Sequence, residues 1–366
     1  MVQRVPGASR IPNGGPAELI GLGLAEDGSG PSHLPVTVVI CAYTMQRWDA
    51  IHVAVTSVLS QHPQPTQILL IIDHNAELAD RARRELLATE VLESKGPPGL
   101  SGARNTGLIA ATQPITVFLD DDAEARPGWL ASLIEPYQSS DVVATGGGVE
   151  PRWPNLRPSW LPPEFDWVVG CGYVGLPDSG GIVRNPIGAN MSMRTQLALE
   201  VGGFDVAIGR VGNPPTGCEE TELAIRLTAE RPGSVVYYAP DATVDHHVTP
   251  ERVKFKYFLR RCWHEGLSKA SVVQLAGASA GLERERRQVV VVIPMQIIRE
   301  LSKFLHGDSS ALLRVCATVS GLTAAAVGYL IGSARYRAKI KGSSKLTGMG
   351  LRSGYHVCSS VADCGT

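Results

Sequence analysis

A chain of 366 residues with 44% hydrophobic side chains can bury a large core and still carry an appendage or a second domain. Its 34 basic and 35 acidic residues leave a net charge of −1, which excludes the basic field of a nucleic-acid binder and the acidic excess of a disordered chain. The seven cysteines (Cys41, Cys171, Cys218, Cys262, Cys316, Cys358 and Cys364) are odd in number and lack CxxC spacing. That argues for reduced thiols in a cytoplasmic setting and against a disulfide framework or a zinc site.

Residues 1–34 are rich in Gly and Pro and lack a basic stretch followed by a long apolar core, so they read as a flexible lead-in and not as a signal peptide. Val36–Ala42 is a short apolar run, the mark of a buried strand. Residues 48–60 place Ile51, Val55, Val58 and Leu59 at helical spacing. Gln67–Ile72 reads as a strand ending at Asp73, and 77–89 as a polar helix with Leu78, Ala82 and Leu86 on one side. A Gly/Pro loop leads into a helix over 99–112. Ile115–Asp120 is the next strand and 127–137 the next helix, with Pro127 at a tolerated first-turn position. Alternating strands and helices predict an α/β domain with a mainly parallel sheet covered on both faces.

After Gly146-Gly147-Gly148 the alternation fails. Residues 151–185, rich in Pro, Trp and Gly, read as an irregular insertion of the kind that shapes a pocket, with selectivity expected from Trp160, Glu164, Phe165, Asp166 and Trp167. Order resumes over 187–194, in a helix over Glu219–Glu230 and in a strand over 235–238. The stretch 288–298 is apolar but short and broken by Pro294. Residues 315–334 carry no charge between Arg314 and Arg335, and their number reaches the roughly 20 residues a membrane span needs. Their dilution by Gly, Ala, Ser and Thr favours a packed helical hairpin or a membrane-surface anchor. A single span would also put the basic tail (Arg335, Arg337, Lys339, Lys341) inside and the nucleotide-using region outside. The expected organisation is a lead-in over 1–34, a catalytic domain over 35–275, a helical region over 276–340 and a flexible tail over 341–366. Peripheral membrane contact is expected through 288–334.

The chemistry centres on Asp120-Asp121-Asp122, which ends the strand Ile115–Asp120. Adjacent like charges are costly to hold together, and the carboxyl ends of strands are where open α/β sheets bind ligands. A divalent cation, Mg²⁺ or Mn²⁺, shared with substrate phosphates is the expected neutraliser. Asp122 is assigned to the metal and Asp120 to ribose or metal. In Gly217-Cys218-Glu219-Glu220-Thr221-Glu222, helical geometry puts Glu220 in the stripe of Leu223, Ala224 and Leu227. Glu219, Glu222 and Arg226 fall to one side, with Glu222 and Arg226 spaced for a surface ion pair. A carboxylate on the apolar side must be hydrogen-bonded or have a raised pKa, and a raised pKa is what a general base needs; the alternative is a helix N-terminal carboxylate stabilised by the dipole. His246 and His247 offer an imidazole ligand beside the carboxylates. Arg104, in the glycine-bearing loop 99–105, could reach a phosphate, and Asp73 could accept hydrogen bonds from a base.

Several segments, in order, resemble family 2 glycosyltransferases of the GT-A fold. "VTVVICAY" is similar to the opening nucleotide-binding strand, "IIDHN" to the strand whose terminal Asp73 touches the base, and "GLSGARNTGL" to the helix start carrying Arg104 and Asn105. "FLDDD" resembles the family's Asp-x-Asp, "GANMSMR" with "VGGFD" the acceptor-side loop, "GCEETEL" the base motif, and "VDHHV" the metal-side His. The resemblance implies a mixed, mainly parallel sheet and an inverting transfer from a nucleotide-diphosphate sugar, such as a UDP-sugar, to an acceptor hydroxyl in cell-envelope, polysaccharide or glycolipid synthesis. Asp73, Arg104, Asn105, Asp120 and Asp121 would hold the donor, Asp122 and His246 (or His247) the metal, and Glu220 (or Glu219) would be the base. The family often has Asp at the base position. Its processive members carry a Gln-x-x-Arg-Trp signature that Arg260-Arg261-Cys262-Trp263 does not fit, which implies single addition. The rivals are a nucleotidyltransferase of similar fold, a phosphatase using Asp120, and a non-catalytic membrane-associated subunit. Ala123-Glu124 lacks the Ser or Thr expected of the phosphatase.

Overall fold

The computed structural model describes residues 34–208, 217–276 and 288–347. Residues 1–33 of the expected lead-in and 348–366 of the expected tail lie outside the described residues. The chain builds a sheet of β1 (Val36–Ala42), β2 (Gln67–Ile72), β3 (Glu90–Glu93), β4 (Ile115–Asp120), β5 (Ala123–Ala125), β6 (Val142–Arg152), β7 (Gly181–Val183), β8 (Asn190–Arg194) and β9 (Val235–His247). Its helices are α1 (Trp48–Leu59), α2 (Ala76–Glu85), α3 (Leu100–Ala110), α4 (Trp129–Ile134), α5 (Thr195–Glu200), α6 (Glu219–Glu230), α7 (Phe255–Ala276), α8 (Ile293–Leu305) and α9 (Ser309–Thr347).

The strand order is β3-β2-β1-β4-β8-β6-β9-β5, with β7 on β9. β2, β1 and β4 run parallel, as the alternation predicts, and β3, which the sequence reading did not include, extends the parallel half beyond β2. The direction then changes: β8 is antiparallel to both β4 and β6, β9 is parallel to β6, and β5 and β7 are antiparallel to β9. The sheet is therefore mixed, and its polarity switches where β4 ends in Asp120.

The period of two along β1 sorts its side chains between two cores. Val36, Val38 and Ile40 pack with Ile51, Val55 and Val58 of α1 on one face. Val39 joins Leu69, Ile71, Phe118 and the buried sides of α3, α5 and α6 on the other. Each such aliphatic side chain contributes about 1.5–3 kcal/mol on burial. A third cluster joins the insertion (Leu161, Phe165, Val168) to α7, α8 and α9 through Phe258, Cys262, Ile293 and Ala317.

Two expectations are corrected. The strand over 235–238 is the first part of a much longer β9, so His246 and His247 lie on a strand. β9 passes the Ala239-Pro240-Asp241 turn by a register shift: Gly147 faces Ala239 while Val149 faces Val244. The three glycines do not end the order but sit inside β6. A Cβ on Gly147 would stand 2.0 Å from the Ala242 carbonyl oxygen, so the bulging strand is admitted only by glycine.

α7 and α9 cross with backbones in close contact. A Cβ on Gly266 would lie 2.0 Å from the Ala325 oxygen, and one on Gly328 would lie 2.2 Å from the Trp263 oxygen. Small residues on both helices make this approach possible. Ser309–Tyr336 is nevertheless long and apolar enough to cross a membrane by length and composition, and only 22% of its most apolar window is buried.

Candidate active site

β4 delivers three carboxylates to the point where the sheet changes direction. Asp120, the last residue of β4, is half-buried, whereas Asp121 and Asp122 are 3% and 6% exposed. The short β5 that follows pairs with β9 and sets Ala123 opposite His246. His247 donates its backbone N–H to the Asp122 carbonyl at 2.8 Å. This register brings the His246 ring, 2% exposed, to Asp122: Nε2 to Oδ1 is 3.3 Å. His247 is exposed. The other His246 nitrogen, Nδ1, contacts Cys171 Sγ at 3.7 Å.

Asp120, Asp122 and His246 each offer a ligand atom, and these atoms lie within 4.8 Å of one another. Asp122 Oδ2 is buried and has no hydrogen bond. An oxygen-and-imidazole set of this kind suits Mn²⁺ or Mg²⁺, so the residues fit such an ion. Two arginines share the charge. Arg47 Nη1 is 2.6 Å from Asp121 and 3.2 Å from Asp122, and Arg252 Nη2 is 3.8 Å from Asp122. Burial alone would raise the Asp122 pKa, but His246, Arg47 and Arg252 outweigh it and hold this carboxyl well below the usual range. Neither arginine was singled out in the sequence. Arg47 had a signal, as a cation five residues beyond the first strand; Arg252 had none.

Across the site, α6 begins at Cys218, which has a positive φ of 77°. The two glutamates that follow separate sharply. Glu219 is 4% exposed and accepts a bond from Arg104 Nη1 at 2.9 Å. Glu220 is half-buried and bonded by the Thr221 hydroxyl. Burial first, then the Glu219 charge, push Glu220 up to about 7. The flank carrying Glu219, Glu222 and Arg226 is turned into the protein, which corrects the expected surface pair. Glu222 is 6% exposed, and Arg226 binds it and the carbonyls of Val201 and Gly203.

The remaining candidates divide. Arg104 is 2% exposed and also donates to Asp120 at 3.2 Å and to the Gly188 carbonyl at 2.9 Å, so its guanidinium has protein acceptors on both terminal nitrogens. Asn105 clamps Phe204 by donating to its carbonyl and accepting from its N–H. Asp73 contacts His74 and accepts the N–H of Gly99, which shapes the approach to α3. Asn190, in the expected acceptor-side loop, is fully buried and tied to Trp129, Gly148 and Ala242.

One cavity of about 570 Å³ is lined by Asp120, His246 and Arg252 and also by Glu219 and Glu220. Glu164, Phe165 and Trp167 of the insertion also line it, as do Arg104 and Arg261. Asp73, Asn105, Asp121 and Asp122 are not among its lining residues. Trp160 packs on Phe255 and Phe258, and Asp166 is held by Arg157. The arrangement sets two of the three candidate cation ligands, Asp120 and His246, and a carboxyl of raised pKa around a shared space.

The profile of the family "Glycosyl transferase family 2" matches residues 37–202. A glucosyl-dolichyl phosphate glucuronosyltransferase of Haloferax volcanii is 34% identical over 240 residues, covering 64% of this chain and 76% of that one. A pre-mycofactocin glycosyltransferase of Mycobacterium tuberculosis is 26% identical over 314 residues, covering 82% of this chain and 62% of that one. Among solved structures, a mannosyltransferase from Pyrobaculum calidifontis in complex with GDP-Man and Mn²⁺ superposes with a TM-score of 0.50 at 16% identity, over 82% of this chain and 88% of that one. The chain belongs to glycosyl transferase family 2 and has the GT-A fold of a glycosyltransferase.

Proposed function

We propose that this glycosyltransferase moves a sugar, with inversion, from a nucleoside-diphosphate donor to an acceptor hydroxyl, and that it uses Mn²⁺ or Mg²⁺. The observation that carries the reading is the shared cavity, lined by Asp120 and His246 together with Glu220, whose carboxyl is pushed up to about 7. Asp120, Asp122 and His246 would hold the ion, which supplies charge neutralisation for the departing diphosphate. The P. calidifontis relative carries GDP-Man and Mn²⁺, in keeping with such a donor and ion.

Glu220 takes the acceptor hydroxyl proton as that oxygen bonds to the anomeric carbon. The bond from that carbon to the phosphate oxygen breaks, and its electron pair leaves with the nucleoside diphosphate. A single carboxylate base and no covalent intermediate invert the configuration. Glu219 is tied off by Arg104, which leaves Glu220 as the base. Arg104 orients Glu219 and Asp120 and does not itself serve as a phosphate ligand. Asp73 and Asn105 act by holding the loops around the donor side. The enzyme works at the cytoplasmic face of the membrane, with α8 and α9 in peripheral contact.

The test is a panel of UDP-glucose, UDP-glucuronate and GDP-mannose, assayed for diphosphate release with and without Mn²⁺. Release from at least one donor, lost on chelation, is expected. Absence of turnover and of UDP or GDP binding would sink the reading. A nucleotidyltransferase would release pyrophosphate or transfer a nucleotidyl group instead.

A further inference from the structure

The lining of the cavity is chemically mixed. Asp120, His246, Arg252 and Glu220 supply polar and charged groups, as do Arg261, Glu265 and Lys269 of α7. The last two helices contribute Gly321, Leu322, Ala325, Ala326 and Tyr329 of α9 together with Ile293 of α8. None of these six bears a charge, and five have no polar side-chain atom to hold a sugar hydroxyl. The same two helices present apolar side chains on their outer surface: Met295, Ile298, Leu305 and Leu330 are 66%, 68%, 82% and 66% exposed. Three of them space as 295, 298 and 305 along α8, one stripe of a helix. A sugar-only acceptor has no use for apolar helix surface lining the cavity of its base. Exposed apolar surface of this extent marks contact with another apolar body.

We infer that the acceptor is an amphiphile, whose hydroxyl-bearing head lies at Glu220 and whose hydrocarbon chain runs along the α9 wall of the same cavity. This rests on Glu220 being the base of the proposed transfer. The head donates its proton to Glu220 and keeps its oxygen for the new glycosidic bond. The chain takes no part in the chemistry and supplies affinity, about fourfold for each methylene it buries.

The experiment uses the full chain and two probe series below their micelle concentrations: n-alkyl β-D-glucosides and n-alkyl phosphates, each as methyl, hexyl and decyl forms. Binding is read by calorimetry and by tryptophan fluorescence, since Trp167 lines the cavity. In at least one series the decyl form is expected to bind at least 100-fold more tightly than the methyl form. Ala326 is exposed at the cavity edge, so Ala326→Asp is expected to fold, as its melting curve checks, and to lose most of that gain. Ala326→Met, which narrows the wall without adding charge, is expected to shift the preference to shorter chains and guards against an unfolded Asp variant. Affinity independent of chain length in both series overturns the inference. So does a chain-length gain that both variants keep, because the chain would then lie on the outer stripe. Diphosphate release from nucleotide sugars by the unaltered protein is scored separately, so loss of the acceptor inference leaves the transferase reading standing, and the reverse.

Discussion

Arg104 binds Glu219 and Asp120 at once, at 2.9 Å and 3.2 Å, and so ties the start of α6 to the end of β4. One fully enclosed guanidinium thus joins two elements whose residues line the cavity. It also separates two adjacent glutamates: Glu219 accepts its hydrogen bond, and Glu220 is bonded by the Thr221 hydroxyl.

Removing that guanidinium leaves Glu219 charged and buried. Arg104→Met is expected to cost about 3–5 kcal/mol of folding free energy, the usual penalty for orphaning a buried charge. Arg104→Lys should recover part of it, because an ammonium keeps the charge but cannot span three fixed acceptors in a fork. Urea unfolding of both variants checks this. A loss below about 1 kcal/mol for Arg104→Met would show that the bridge does not hold the two elements.

Glu220→Gln is expected to lower kcat by about 10²–10⁴-fold while nucleotide affinity stays close to that of the unaltered protein. For the unaltered enzyme, the rate should climb with pH through about 7 as the base loses its proton. Stability runs the other way. The folded chain holds the Glu220 proton more tightly than the unfolded chain does, where the ordinary value is 4.5. Folding therefore loses free energy as pH rises from 4.5 to about 7 and levels off above it. Glu220→Gln should flatten that slope in melting curves. A pH–rate profile with no rise near neutrality would remove Glu220 from the role of base.

Asp122→Asn and His246→Ala are each expected to weaken Mn²⁺ binding more than tenfold, in line with the sensitivity of metal affinity to such groups. His247→Ala, on the exposed neighbour, should leave it unchanged. Titration of free Mn²⁺ by electron paramagnetic resonance separates the two histidines. Equal losses for both would break the assignment that the β5–β9 register supports.

Gly266→Ala and Gly328→Ala should each destabilise by about 1–3 kcal/mol through overpacking of the α7–α9 crossing. The added Cβ meets backbone, not a yielding side chain. The double variant should cost less than the sum, because either methyl alone already forces the helices apart. Additive losses in denaturant unfolding would mean that the two contacts yield independently.

In the parallel half of the sheet β1, β2 and β4 were readable from the sequence because buried strands announce themselves by continuous runs such as "VTVVICA" and "ITVFLD", whereas the short, partly exposed β3 was not. The second half was readable only over β8 and the start of β9. β5 and β7 are three residues each, and β9 carries Pro240 within its length. Such strands are held by register against neighbours, a property of pairing and not of local pattern. Glu220 was singled out on helical periodicity and on the resemblance of "GCEETEL" to a base motif. The same periodicity misjudged Glu219, Glu222 and Arg226, because angle on a helix says nothing of what lies opposite.

What the chain's residues determined by themselves was local: strands from apolar runs, a helix with two adjacent glutamates, three carboxylates at a strand end, and an ordered set of motifs. Only the tertiary structure decided which charges meet. His246 lies more than a hundred positions from Asp122 and reaches it because β5 and β9 pair. Glu219 is silenced because α3 happens to carry Arg104 beside it. The physical reason is range. Backbone preference and hydrophobic period act within a few residues, whereas ion pairing and desolvation depend on distance in space and so exist only once the sheet has closed.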